Sequence, residues 1–206
     1  MIWALALLAA APQLRVEIDP SVAATWGNAA ELACAEVDRA LEPEAEPLVF
    51  RSVRLVQAAT FAELLRRGGR SRFELAAYRD RTIWLAPPEV LEKTFDVAAI
   101  LRHECAHAAL RARAVPALPI LVEEVVVMML AGQSGRLPPG AVISAAELPE
   151  VERLARQPSE RASLESALAR AHATFGAALQ KAREERRLLA FLREVASEKA
   201  YLSRFR

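Results

Sequence analysis

Cysteine, glycine and histidine are all scarce in this chain, and so is any excess of charge of one sign. Only two cysteines, Cys34 and Cys105, occur in 206 residues, too few for a disulfide framework. Both fall on apolar faces of predicted helices, so buried free thiols are the expectation; a single bridge between them would need an exported, oxidised protein. With seven glycines, the chain shows no internal repeat and no low-complexity tract. Lysine and arginine number 27 against 26 aspartates and glutamates, a net charge of +1. That balance gives no reason to invoke nucleic acid or an anionic membrane as partner. The arginines between Arg66 and Arg72 read as a solvated turn around Gly68 and Gly69, because no aromatic residue interleaves them. Long apolar runs are missing too. The stretch Leu118 to Leu130 is interrupted by Glu123 and Glu124, so no membrane span is expected in the mature chain.

What is present suits a folded domain: 53% apolar residues are ample for a core and 26% charged residues argue against disorder. The run Met1 to Ala11 is wholly apolar and ends in small residues. It is too short for a mature span and has the shape of a secretory h-region, so residues 1–11 read as a signal peptide and the protein as exported, periplasmic or extracellular. No Lys or Arg precedes it, and the alternative is a buried first strand or helix.

Period-two alternation predicts strands over Leu14–Ile18 and Val49–Val56, and a hairpin within Phe73–Leu85 that turns at Tyr78–Arg81. Helical periodicity predicts helices over Ser21–Leu41 with Ser21 as N-cap, and over Phe61–Arg67 with Thr60 as cap. A further helix runs from Val97 to about Arg113, capped by Asp96 and blocked by Pro116, and another spans roughly Pro119–Ala131 before Gly132. Residues 42–47 read as a linker and Leu137–Pro149 as a connecting loop. From Pro158 onward the pattern is helical, with stripes Leu164, Leu168, Ala171, Phe175, Leu179 and Leu188, Phe191, Leu192, Val195, Leu202. Strands come early and helices late, so the class is α+β.

The chemistry concentrates in His103-Glu104-Cys105-Ala106-His107. Histidines four apart on a helix project from one face, one turn apart, and zinc accepts such a pair. Glu104 lies about 100° further round, where it can reach a metal-activated water without coordinating the ion. Cys105 lies about 200° round from His103 and faces away from the metal, as core. A hydrolytic zinc site takes three protein ligands and keeps one position open. Glu123 and Glu124 are the candidates for the third, since carboxylates amid aliphatics are costly to bury without a cation. The bland reading is that they mark the solvated side of a short helix. Periodicity alone does not choose between them.

The segment from Leu101 to Gly132 resembles the gluzincin metallopeptidases, most closely the bacterial peptidase MA-like domains. Those carry a His-Glu-x-x-His helix and then a segment Pro-x-Trp-Leu-x-Glu-Gly-x-Ala-x-Tyr whose glutamate is the third zinc ligand. Laid on that pattern, Pro119 matches the proline, Leu121 and Val122 stand for tryptophan and leucine, and Glu124 falls on the ligand. Val125 replaces the usual glycine and Met129 the common tyrosine. The resemblance implies a zincin-like fold: a small N-terminal mixed sheet with the active-site helix over 12–135, and a helical C-terminal region over 136–206 packing on it. It implies a Zn2+ cofactor on His103, His107 and Glu124, and a peptide or protein substrate hydrolysed with Glu104 as general base. It also casts Thr82–Pro87 as the edge strand beside the cleft, able to pair with extended peptide. An oxyanion donor is expected among His172, Tyr201 and Tyr78. The alternative is a catalytically weak or inactive gluzincin-like binding module in the cell envelope, which the changes at Val125 and Met129 favour.

Overall fold

A computed structural model describes residues 13–22, 24–41, 47–67, 74–92, 96–198 and 201–205. The N-terminal apolar run, linker positions 42–46 and the Gly68-Gly69 turn lie outside the described residues. The architecture is mixed and mostly helical: a small four-stranded sheet and its helices, then a helical C-terminal region.

The strands are β1 (Arg15–Ile18), β2 (Ser52–Gln57), β3 (Ala76–Arg79) and β4 (Thr82–Leu85), ordered β1-β2-β4-β3. The first two contacts in that order are parallel and the last antiparallel. Alternation does what the pattern predicts: Ile83 and Leu85 are buried, while Thr82 and Trp84, which alternate with them, are half-buried. β2 begins later than expected because its ladder with β1 opens at Ser52 opposite Arg15, leaving Val49 exposed. The β3–β4 hairpin turns at Asp80 and Arg81, with φ of 50° and 58°, the left-handed pair of a two-residue hairpin turn. Tyr78 and Arg79 therefore belong to β3. One expectation is overturned here. β4 is not the edge; β2 occupies its other side, which pushes the hairpin partner β3 out to the rim.

Among the described residues the α-helices are α1 (Ala24–Leu41), α2 (Phe61–Arg67), α3 (Pro88–Leu91), α4 (Val97–Ala112), α5 (Ile120–Leu130), α6 (Leu148–Arg156), α7 (Arg161–Glu184) and α8 (Leu188–Ser197). Ser21 does not cap α1, which starts at Ala24; its hydroxyl instead donates to Asp19 Oδ1 at 2.8 Å. Thr60 does cap α2, accepting from Glu63 N at 3.2 Å, and Asp96 caps α4, accepting from Ala99 N at 3.1 Å. α6 falls partly on what reads as loop. Pro149 sits in its first turn, where a missing N–H costs nothing.

α1 lies along α4 through Ala30, Ala33, Cys34, Val37 and Leu41, all buried. Cys34 and Cys105 form a disulfide across this contact, with Cα atoms 5.0 Å apart. The expected free thiols are thus corrected: two small-residue helix faces pack closely enough to bring the sulfurs together. One buried apolar cluster runs from Leu14 to Tyr201, so the C-terminal helices share the core of the sheet and α4. The 137–147 loop presses against α7 at Gly140, where a Cβ would stand 2.4 Å from the Ala169 carbonyl. Among the described residues no helix is long and apolar enough to cross a membrane.

Candidate metal centre

α4 is capped by Asp96 and buried on almost every side, so the faces of its histidines are fixed by packing. His103 and His107 come from consecutive turns, with ring centroids 5.1 Å apart. α5 crosses the same region, and its carboxylates point to different atoms. Glu124 reaches both imidazoles from one side: its oxygens stand 3.3 Å from His103 Nε2 and 3.8 Å from His107 Nε2. Two ligands held at about 2.0–2.2 Å from one tetrahedral ion are about 3.3–3.6 Å apart. Ligand atoms of His103, His107 and Glu124 all lie within 4.8 Å of one another. This group could hold a metal ion.

The other ring nitrogens are engaged. His103 Nδ1 lies 3.1 Å from Gln133 Oε1, while Gln133 Nε2 donates to the Ala99 carbonyl at 2.7 Å. The amide is oriented by that second bond, so its oxygen accepts from Nδ1–H and Nε2 is the nitrogen turned toward Glu124. His107 Nδ1 lies 3.0 Å from Glu123 Oε1, and Arg111 clamps both oxygens of Glu123 at 2.8 Å. A carboxylate on the far nitrogen fixes the tautomer and raises the basicity of the ligating one. The solvated-face reading of the glutamates fails: Glu123 is buried and Glu124 half-buried.

Charges follow from this wiring. Burial opposes a proton on His103, but the hydrogen bond and charge of Glu124, the charge of Glu104 and the Gln133 contact together raise its pKa to about 9. Burial likewise opposes ionisation of Glu123, yet the His107 hydrogen bond and the charges of His107 and Arg111 hold its pKa below the ordinary value, against the push of Glu124.

Glu104, buried at 7% exposure, opens on the same cleft as the histidines. The cleft holds about 490 Å³; β3 and its turn form one wall, and Ala155, Leu164 and Leu168 of α6 and α7 another. Tyr78 lines it, whereas His172 and Tyr201 do not. His172 packs beside Gly176, and the Tyr201 hydroxyl donates to Glu152 at 2.7 Å. Sequence reasoning missed Gln133 and Arg111. Both had signals: Arg111 lies one turn beyond His107 on the same face, and Gln133 follows the Gly132 that ends α5. Gly132 has φ of 70°, and the next amide returns to Met128 O at 2.8 Å, which sets Gln133 at a fixed place below His103.

No family model, curated protein or solved structure matches this chain.

Proposed function

We propose that this chain is a zinc metallopeptidase of the gluzincin type, with a zincin-like catalytic part akin to the peptidase MA-like domains. The observation that carries this reading is the convergence of two Nε2 atoms and the Glu124 carboxylate, each imidazole steadied from behind, with Glu104 on the same cleft. Two histidines and one carboxylate are a donor set suited to zinc, and three protein ligands leave a position open to solvent. Zinc held there supplies a water acidified to a pKa of about 7 and a Lewis acid for a carbonyl.

The chain's own residues do the rest. Glu104 takes the proton from the attacking water and passes it to the leaving amine. Tyr78 is the one oxyanion donor of the three candidates that lines the cleft. Burial raises its pKa, so the phenol keeps its proton at neutral pH and can donate to developing negative charge. A disulfide between Cys34 and Cys105 suits the oxidising compartment that an N-terminal export signal implies.

Elemental analysis of purified protein tests the proposal first. We expect about one zinc per chain, lost in Glu124→Ala and weakened in Glu123→Ala. Glu104→Gln should keep the metal and lose peptide cleavage by about a hundredfold or more. Zinc bound without cleavage of any peptide by the wild type would leave a binding module. A wild-type chain that takes up no metal would remove the enzyme reading altogether.

A further inference from the structure

The arginines at the end of α2, Arg66 and Arg67, are exposed as the sequence suggests, and they have company. Arg66 and Arg67 share a surface hollow of about 360 Å³ with Arg79, Asp80, Thr82 and Trp84. The Arg67 guanidinium lies over the Trp84 ring at 4.9 Å. The carboxylates nearby are loosely held: Glu63 is 3.7 Å from Arg67 and Asp80 is 3.6 Å from Arg79, and all four side chains of these pairs touch solvent. Among the described residues three cations therefore face one lining carboxylate, in a chain whose net charge is only +1.

The position of the hollow relative to the metal is what gives it meaning. In an antiparallel pair, residues opposite one another share a face of the sheet. Arg79 stands opposite Thr82 and Ala77 opposite Trp84, so the hollow lies on their common face. Tyr78, opposite Ile83, is on the other face, where it feels the charge of Arg111 on the metal-bearing helix α4. β3 is the rim between the two, and Arg79 and Asp80 line both the cleft and the hollow. An extended chain laid along β3 sends alternate side chains to opposite faces. One set is presented to the side of His103, His107 and Glu104. The other set arrives at Arg66, Arg67 and Arg79.

We infer that the Arg66–Arg67–Arg79–Trp84 hollow receives an acidic side chain of an extended peptide that lies along β3 beside the metal cleft, so that the substrates are peptides carrying Asp or Glu at alternate positions. This rests on the peptidase reading for the direction of the chain, but the recognition itself is binding and needs no metal. Guanidinium groups suit the occupant because they present several N–H donors to a carboxylate in a fixed fork, and the Trp84 ring under Arg67 helps hold that fork in place.

The test uses fluorescein-labelled extended peptides identical except for Glu or Gln at alternate positions, with anisotropy read on full-length Glu104→Gln protein and cleavage read on the wild type. The Glu peptide should bind about tenfold more tightly than its Gln counterpart, the summed effect of a few partly exposed charge pairs. That advantage should vanish in Arg66→Ala/Arg67→Ala, return in part in Arg66→Lys/Arg67→Lys, and shrink as salt is raised, with the Gln peptide unaffected throughout. Equal affinities on the intact hollow, or a Glu advantage that survives the double alanine variant, would overturn the inference. So would a single-stranded oligonucleotide that binds as tightly as the acidic peptide and loses the same fraction in the double variant. Cleavage without acidic preference sinks this inference and spares the peptidase; acidic preference with no cleavage does the reverse.

Discussion

Gln133 touches no metal ligand atom that faces the cleft, yet it decides which nitrogen of His103 does. Its amide is anchored to the Ala99 carbonyl and its oxygen sits at Nδ1. Gln133→Ala should therefore leave the three ligands in place and weaken zinc binding by about 10- to 100-fold, measured by competition with a chelator. Unchanged affinity would mean that packing alone orients His103. The same histidine sets a pH dependence. With a pKa of about 9 in the folded, metal-free chain against about 6.5 unfolded, its protonation stabilises the fold fully below pH 6.5. The contribution falls away as pH rises through about 9. Chelator-treated protein should lose thermal stability over that window, and zinc affinity should climb over it because metal must displace the proton. Melting curves and zinc titrations at several pH values check both; a flat profile would place the proton elsewhere.

At the scale of the elements, the contact that governs the site is α1 on α4. Cys105 lies between the two histidines in sequence and is tied to Cys34 on α1, a closure of 71 residues. Cross-linking so distant a pair restricts the unfolded chain, and removing a native bridge costs about 2–5 kcal/mol. Cys34→Ala/Cys105→Ala should lose stability of that order in urea unfolding. Because both sulfurs are buried and neither cysteine lines the cleft, the proposed zinc stoichiometry should persist wherever the variant is folded. Loss of zinc from a folded variant would show that the bridge also holds the histidines. The hairpin carries the complementary lesson. The hairpin was legible, though its turn is at Asp80 and Arg81 and not over all of Tyr78–Arg81; the rank of its strands was not legible, since only the β2 ladder makes β4 interior and β3 the rim.

Across the whole molecule, one ion pair binds the N-terminal strand, α4 and the C-terminal helices together. Asp38 of α1 accepts from Arg113 Nη1 at 2.8 Å and also from the Leu14 backbone; Arg193 of α8 donates to the Arg113 carbonyl at 2.6 Å. Asp38 and Arg113 are 4% and 5% exposed, so a lone survivor would be a buried, uncompensated charge. Asp38→Ala should cost about 3–5 kcal/mol, and Asp38→Leu/Arg113→Leu distinctly less. Equal losses in the two variants, by equilibrium unfolding, would mean the pair matters for packing and not for charge.

Much of the site was written in local spacing. His103, Glu104 and His107 needed only the helical repeat, Asp96 and Pro116 bounded their helix, and Gly132 ended the next one. The choice between Glu123 and Glu124 was not local. Adjacent residues on a helix point about 100° apart, and only the crossing of α5 over α4 determined that Glu124 meets both Nε2 atoms while Glu123 goes to His107 Nδ1 and Arg111. The same holds for the cysteines, whose apolar surroundings read as core for a thiol or a bridge alike until two helices were set side by side. The sequence by itself determined which side chains could carry the chemistry, because helical and strand periods are properties of the backbone. Tertiary structure alone decided which atoms face one another, because that depends on where separately formed elements pack.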